Sequence, residues 1–154
     1  MSIAIVLVGH SNWGKSKTLK ALTNDIVQYR YWDIADRTFF IRRMSNDDFS
    51  QDLKEFVENL SPDKQEFVLL TLCPDFDEPL KYAKANLIKL SQKYTLNFFV
   101  LQYAYDSDRS VSSTEIGKLK EYGSVEVFTS KNAEAVTRAK ALRRFIESVV
   151  MKAS

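Results

Sequence analysis

Eight consecutive residues, Gly9-His10-Ser11-Asn12-Trp13-Gly14-Lys15-Ser16, combine types that together can hold a phosphate. The pattern is a glycine, four residues, then Gly-Lys-Ser. A backbone that leaves a strand, curls and enters a helix turns successive amide hydrogens inward, forming a nest for an anion. The helix that follows adds its positive end. Gly9 and Gly14 supply backbone freedom and close approach. Lys15 brings an ammonium to the β and γ phosphates, and Ser16 offers a hydroxyl to a magnesium ion. Glycine usage underlines the segment. The chain has four glycines, against the roughly eleven that average usage gives at this length, and two of them stand in this loop.

The elements needed to position such a loop are present on both sides. Ile3 to Val8 is a continuous apolar run, which reads as a buried strand. Residues 15–23 read as a helix with Leu19 and Leu22 on one side. Residues 26–34 and 37–43 are aromatic and β-branched and form either two strands or a strand and an extended loop. Phe49, Leu53, Phe56, Val57 and Leu60 give residues 47–60 a helical period, and Ser61-Pro62-Asp63 breaks it.

The second half continues the alternation. Glu66 to Leu72 is a second buried strand, ending at Cys73-Pro74-Asp75. A helix follows from about Pro79, then a strand containing Phe98-Phe99-Val100-Leu101. Ser112 and Glu115 have capping-box spacing for a short helix that Gly123 can end. A last strand over Val125 to Thr129 and a long helix from Ser130 to Met151 close the chain. This order predicts one α/β domain over residues 1–154, with a mostly parallel five-stranded sheet and helices on both faces.

Through residues 3–23 the sequence resembles the P-loop nucleoside triphosphatase superfamily, by its Walker A motif. The resemblance implies a doubly wound sheet that binds ATP or GTP with Mg2+. Position by position, Gly14, Lys15 and Ser16 match the end of the motif, and amides from Asn12 to Lys17 would hold the phosphates. The implied nucleotide-binding set is thus Gly9, Ser11, Asn12, Trp13, Gly14, Lys15, Ser16 and Lys17. Asn12 stands where many relatives have glycine, and asparagine tolerates left-handed backbone. Trp13 either covers the phosphates or packs on neighbouring side chains. His10, the one histidine, either moves a proton near the phosphates or is a loop residue without a catalytic role.

The family's second acidic signal, the Walker B, is weak here. Asp75 comes three residues past Leu72, and it is either the magnesium-shell carboxylate beside Ser16 or a turn and cap residue. Cys73 reads as a small buried residue at the strand's end. The guanine-reading motif Asn-Lys-x-Asp is absent after Leu101, so ATP is favoured over GTP. Lys15 would act on the transferred phosphoryl group in a hydrolase. In a small-molecule kinase, Asp33 would serve as the acceptor's base and Arg109 would sit on a lid over Tyr105–Ser113. The third alternative is a module that binds nucleotide without turnover.

Composition bounds the rest. With 45% hydrophobic and 27% charged residues in 154, the chain has the balance of a globular domain. No apolar run is long enough for a membrane span, and no leader pattern precedes Ile3. One cysteine excludes an internal disulfide and a cysteine-built structural zinc site. A cytoplasmic location is the expectation. Residues 131–154 hold six basic and two acidic side chains. That helix is either a surface for nucleic acid or a solvated face.

Overall fold

The computed structural model describes residues 2–10, 13–24, 31–42, 50–76, 83–103, 109–131 and 133–153. All six residues of strand β1 (Ile3–Val8) are buried, as a strand covered on both faces requires. It pairs in parallel with β4 (Phe67–Leu72) on one side and β5 (Thr95–Leu101) on the other. Beyond β4 lies β3 (Arg37–Arg42), parallel, and then β2 (Tyr31–Ile34), antiparallel. Beyond β5 lies β6 (Gly123–Phe128), parallel. The order is β2-β3-β4-β1-β5-β6.

The sheet therefore has six strands rather than five. The additional strand comes from the aromatic stretch before Arg37. Ala35 and Asp36 both take positive φ, 54° and 61°, which is the geometry of a two-residue hairpin turn matched to strand twist. Gly123 also has a different role from the one its sequence position suggests. Helix α4 (Ser113–Lys120) has Glu121 as its C-cap. Gly123 opens β6, where an added Cβ would lie 2.2 Å from the Leu96 carbonyl oxygen. Glycine is there so that two backbones can approach.

Side-chain alternation divides the core into two layers. Ala4, Val6 and Val8 face Leu53 and Val57 of α2 (Ser50–Asn59), Leu87 and Leu90 of α3 (Ala83–Lys93), and Leu119 of α4. Ile3, Ile5 and Leu7 face Leu19 and Leu22 of α1 (Lys15–Leu22) and Leu142 and Ile146 of α5 (Ala135–Ala153). Burying each such side chain contributes roughly 1.5–3 kcal/mol. Cations close two helix ends: Lys93 Nζ donates to the carbonyls of Val57, Glu58 and Leu60, and Arg143 donates to that of Leu22 at 3.2 Å. Among the described residues, no helix is long and apolar enough to cross a membrane.

These layers fix where a ligand crevice opens. The chain leaves β1 for α1 on one face. It leaves β4 and β5 for α3 and α4 on the other. In open α/β sheets the crevice lies outside the carboxyl ends of strands at such a switch point. Here that point is bounded by Val8, Leu72 and Leu101.

Candidate functional site

The chain leaves β1 through Gly9, whose amide donates to Leu72 O at 3.1 Å and extends the ladder by one residue. A Cβ on Gly9 would make only ordinary contacts, the nearest 3.5 Å from Lys15 Cγ. Gly9 is therefore less constrained than expected. Gly14 is the constrained one: it caps α1 with φ 84° and ψ 23°, a left-handed conformation that costs residues with a Cβ.

Lys15 is buried, and its ammonium turns back onto the loop. Nζ donates to Gly9 O at 2.6 Å and to His10 O at 2.9 Å. Ser16 is half-buried and Lys17 exposed, both in the first turn of α1. That turn has no acidic residue and no side-chain cap. Ser11 and Asn12 lie outside the described residues.

Trp13 packs rather than covers. It is 2% exposed, within the cluster that includes Val8 and Ala83, and meets the His10 ring edge-on at 5.1 Å. Beneath it lies a residue the sequence assigned to a basic surface. Arg138 of α5 is itself 2% exposed. It donates to Trp13 O and, at 3.2 Å, to Tyr103 O. One guanidinium thus ties the segment after β1 to the segment after β5. With Arg138 inside and Arg143 on the end of α1, the basic face of the last helix is smaller than the sequence suggested.

The loop's histidine gathers three partners from two other segments. His10 Nε2 lies 3.1 Å from the Glu115 carboxylate oxygens. Its Nδ1 lies 3.3 Å from Asp75 Oδ1 and 3.6 Å from Cys73 Sγ. The Cys73 thiol donates to Asp75 Oδ2 at 3.3 Å. Cys73 is buried, while the His10, Asp75 and Glu115 side chains are about a quarter exposed. Glu115 is fixed by the capping box of α4: its carboxylate accepts from Ser112 N at 2.9 Å, and its own amide donates to Ser112 Oγ at 3.1 Å.

Two openings border this cluster. One, of about 550 Å³, is lined by Pro74, Asp75, Phe76, Ser112, Glu115 and Lys118 among others. The other, of about 450 Å³, is lined by His10, Trp13, Arg109 and Ser110. Arg109 is therefore brought to the loop, beside an isolated bridge between Tyr103 and Ser110. Residues 105–108 of the expected lid lie outside the described residues.

Asp33 is not brought there. It stands on β2 opposite Thr38, whose hydroxyl donates to it at 2.7 Å. Thr38 precedes Phe39, which is level with Phe67 and so with Ile3, at the amino end of the sheet. The Gly9–Ser16 loop is at the carboxyl end, three strands away. With about 3.3 Å per residue and about 4.8 Å per strand, the separation is roughly 25 Å or more. A base cannot act over that distance, so Asp33 is corrected to a hairpin residue.

The residues that sequence reasoning took singly, His10, Cys73 and Glu115, form the most connected part of the site. Glu115 was legible only as a cap. One available signal was Cys73-Pro74-Asp75, two ligand-type side chains two apart at the carboxyl end of a buried strand. No protein-family model matches the chain, and no curated protein or solved structure matches it.

Proposed function

We propose that this chain is a P-loop protein that binds a nucleoside triphosphate with magnesium, ATP in preference to GTP. The observation that carries the proposal is Lys15. Its ammonium is held by the Gly9 and His10 carbonyls at the carboxyl end of the central strand, beside the uncapped first turn of α1. A cation fixed at the start of a helix whose N-cap supplies no side chain favours a phosphate chain. The phosphates would rest on the amides leading into α1 and on Lys15, with Arg109 approaching from the neighbouring opening.

Magnesium fits Ser16, a half-buried hydroxyl residue next to Lys15, and would neutralise phosphate charge there. Asp75, the second magnesium residue expected from the sequence, has its oxygens on His10 and Cys73, which leaves Ser16 as the metal residue of this reading. The reading commits to binding. The two described carboxylates at the cluster, Asp75 and Glu115, are both bound to His10, and the kinase base is at the other end of the sheet. A cytoplasmic location accords with this function, since Mg–ATP is abundant there and Cys73 is a thiol.

Calorimetry with Mg–ATP tests it. Lys15→Ala removes a charge-assisted contact of roughly 1.5–3 kcal/mol, so affinity should fall on the order of tenfold to a hundredfold. Asp33→Asn, the control, should bind as the wild type does. Equal affinity in Lys15→Ala and wild type would overturn the proposal.

A further inference from the structure

We infer that His10, Cys73 and Asp75 form an open site for a zinc-class transition metal, with Glu115 orienting the histidine from behind. The inference is independent of nucleotide.

The distances carry it. A tetrahedral zinc centre with bonds of about 2.05 Å to nitrogen, about 2.3 Å to sulfur and about 2.0 Å to oxygen has definite ligand–ligand edges. They are about 3.6 Å for N–S, about 3.3 Å for N–O and about 3.5 Å for S–O. The corresponding separations here are 3.6 Å from Nδ1 to Sγ, 3.3 Å from Nδ1 to Oδ1, and 3.3 Å from Sγ to Oδ2. Three side chains from two loops thus stand close to the edges of one tetrahedral face, the N–O edge being met by Asp75 Oδ1 and the S–O edge by Oδ2. Ligand atoms of all three residues lie within 4.8 Å of one another.

A neutral, metal-free imidazole leaves a conflict at this face. A neutral imidazole has one N–H and one lone pair. His10 has a carboxylate oxygen on each nitrogen, Glu115 at 3.1 Å and Asp75 at 3.3 Å. One nitrogen therefore directs a lone pair at an anionic oxygen unless a second cation, proton or metal, lies between. Placing the proton on Nε2 toward Glu115 leaves the Nδ1 lone pair aimed at Cys73 and Asp75. This is the carboxylate–histidine–metal relay, in which the outer carboxylate sets the tautomer and the ring's orientation. The capping box holds that carboxylate in place.

The donor set selects the metal. One thiolate, one imidazole and one carboxylate suit a borderline-soft ion and not magnesium or calcium, which take oxygen. Thiolate and carboxylate balance a divalent charge, which a partly buried site requires. Three protein ligands leave a fourth position for water or for a ligand atom, the arrangement of reactive rather than structural zinc. The opening beside Asp75 and Glu115 gives access.

Cobalt substitution tests the inference, since the chain's one thiol makes the assignment unambiguous. Wild-type protein free of nucleotide, titrated with Co2+, should take up one equivalent and develop a near-ultraviolet thiolate-to-cobalt band. Zinc should abolish the band by displacement. Cys73→Ser should lose the band, and His10→Gln should weaken zinc binding about tenfold or more by calorimetry. Glu115→Gln keeps a capping-box residue and so guards against misfolding; it too should weaken zinc about tenfold, as loss of an outer partner does. No band in wild type, or zinc affinity within twofold of wild type in His10→Gln and Glu115→Gln, would overturn the inference. Mg–ATP binding, measured separately with zinc chelated, reports on the nucleotide site alone.

Discussion

Two helices begin beside the same crevice, and they begin in opposite ways. Helix α4 closes its own start: Ser112 and Glu115 satisfy each other's amides in a capping box. Helix α1 starts at a left-handed glycine with no side-chain cap and no acid in its first turn. A side chain of its own also turns back, but Lys15 goes to carbonyls of the preceding loop and not to the helix amides. One start is complete in itself. The other is shaped from outside, by Arg138 of α5 reaching the Trp13 carbonyl, and its N-cap glycine supplies no side chain to the helix amides. The difference separates a helix end closed by its own side chains from one that, under the proposed function, receives an anion.

Removing the outside support should have the largest effect. Arg138→Met strands the Trp13 and Tyr103 carbonyls and forfeits two charge-assisted bonds, about 3 kcal/mol in all. In a domain of this size that lowers the melting temperature by roughly 6–12 °C. Arg144→Met, on the exposed side of α5, should stay within about 0.5 kcal/mol. Equal losses by calorimetry or thermal melting would show that Arg138 does not set the start of α1. The self-closed start should be less sensitive. Ser112→Ala should cost about 1 kcal/mol in urea unfolding, and a loss above that of Arg138→Met would reverse the comparison. The smallest effect sharpens it most. Lys17→Glu gives α1 the acid it lacks and should add roughly 0.3–1 kcal/mol of stability, while the same charge weakens Mg–ATP. If the denaturation midpoint and ATP affinity both rise, the open start is not an anion site.

Legibility in the sequence followed the range of the interactions. β1 and the start of α1 fall where the apolar run and the Gly-Lys-Ser sequence place them, because a buried strand and a glycine turn are decided by neighbouring residues. The Ser112–Glu115 box was readable because its partners are three residues apart. The sequence leaves the hairpin open because Ala35 and Asp36 are not the Asn-Gly or Asp-Gly that usually announces such a turn. Its consequence for Asp33 was hidden too: a short antiparallel strand carries that carboxylate to the wrong end of the sheet. His10 with Glu115, Cys73 with His10, and Arg138 with Trp13 are separated by 105, 63 and 125 residues. No local pattern marks such pairs. Arg138 was the hardest, because a basic residue on a basic helix gives no sign that it is turned inward.

Arg138 also sets an order of events. It belongs to the last helix, yet it holds the carbonyl just before Gly14. During synthesis, this loop must wait for a residue 125 positions further along before that contact can form. Contacts so far apart in sequence are slow to close. A chain stalled or truncated before α5 would hold every residue of the Gly-Lys-Ser motif and still lack the guanidinium that ties down the carbonyl before Gly14.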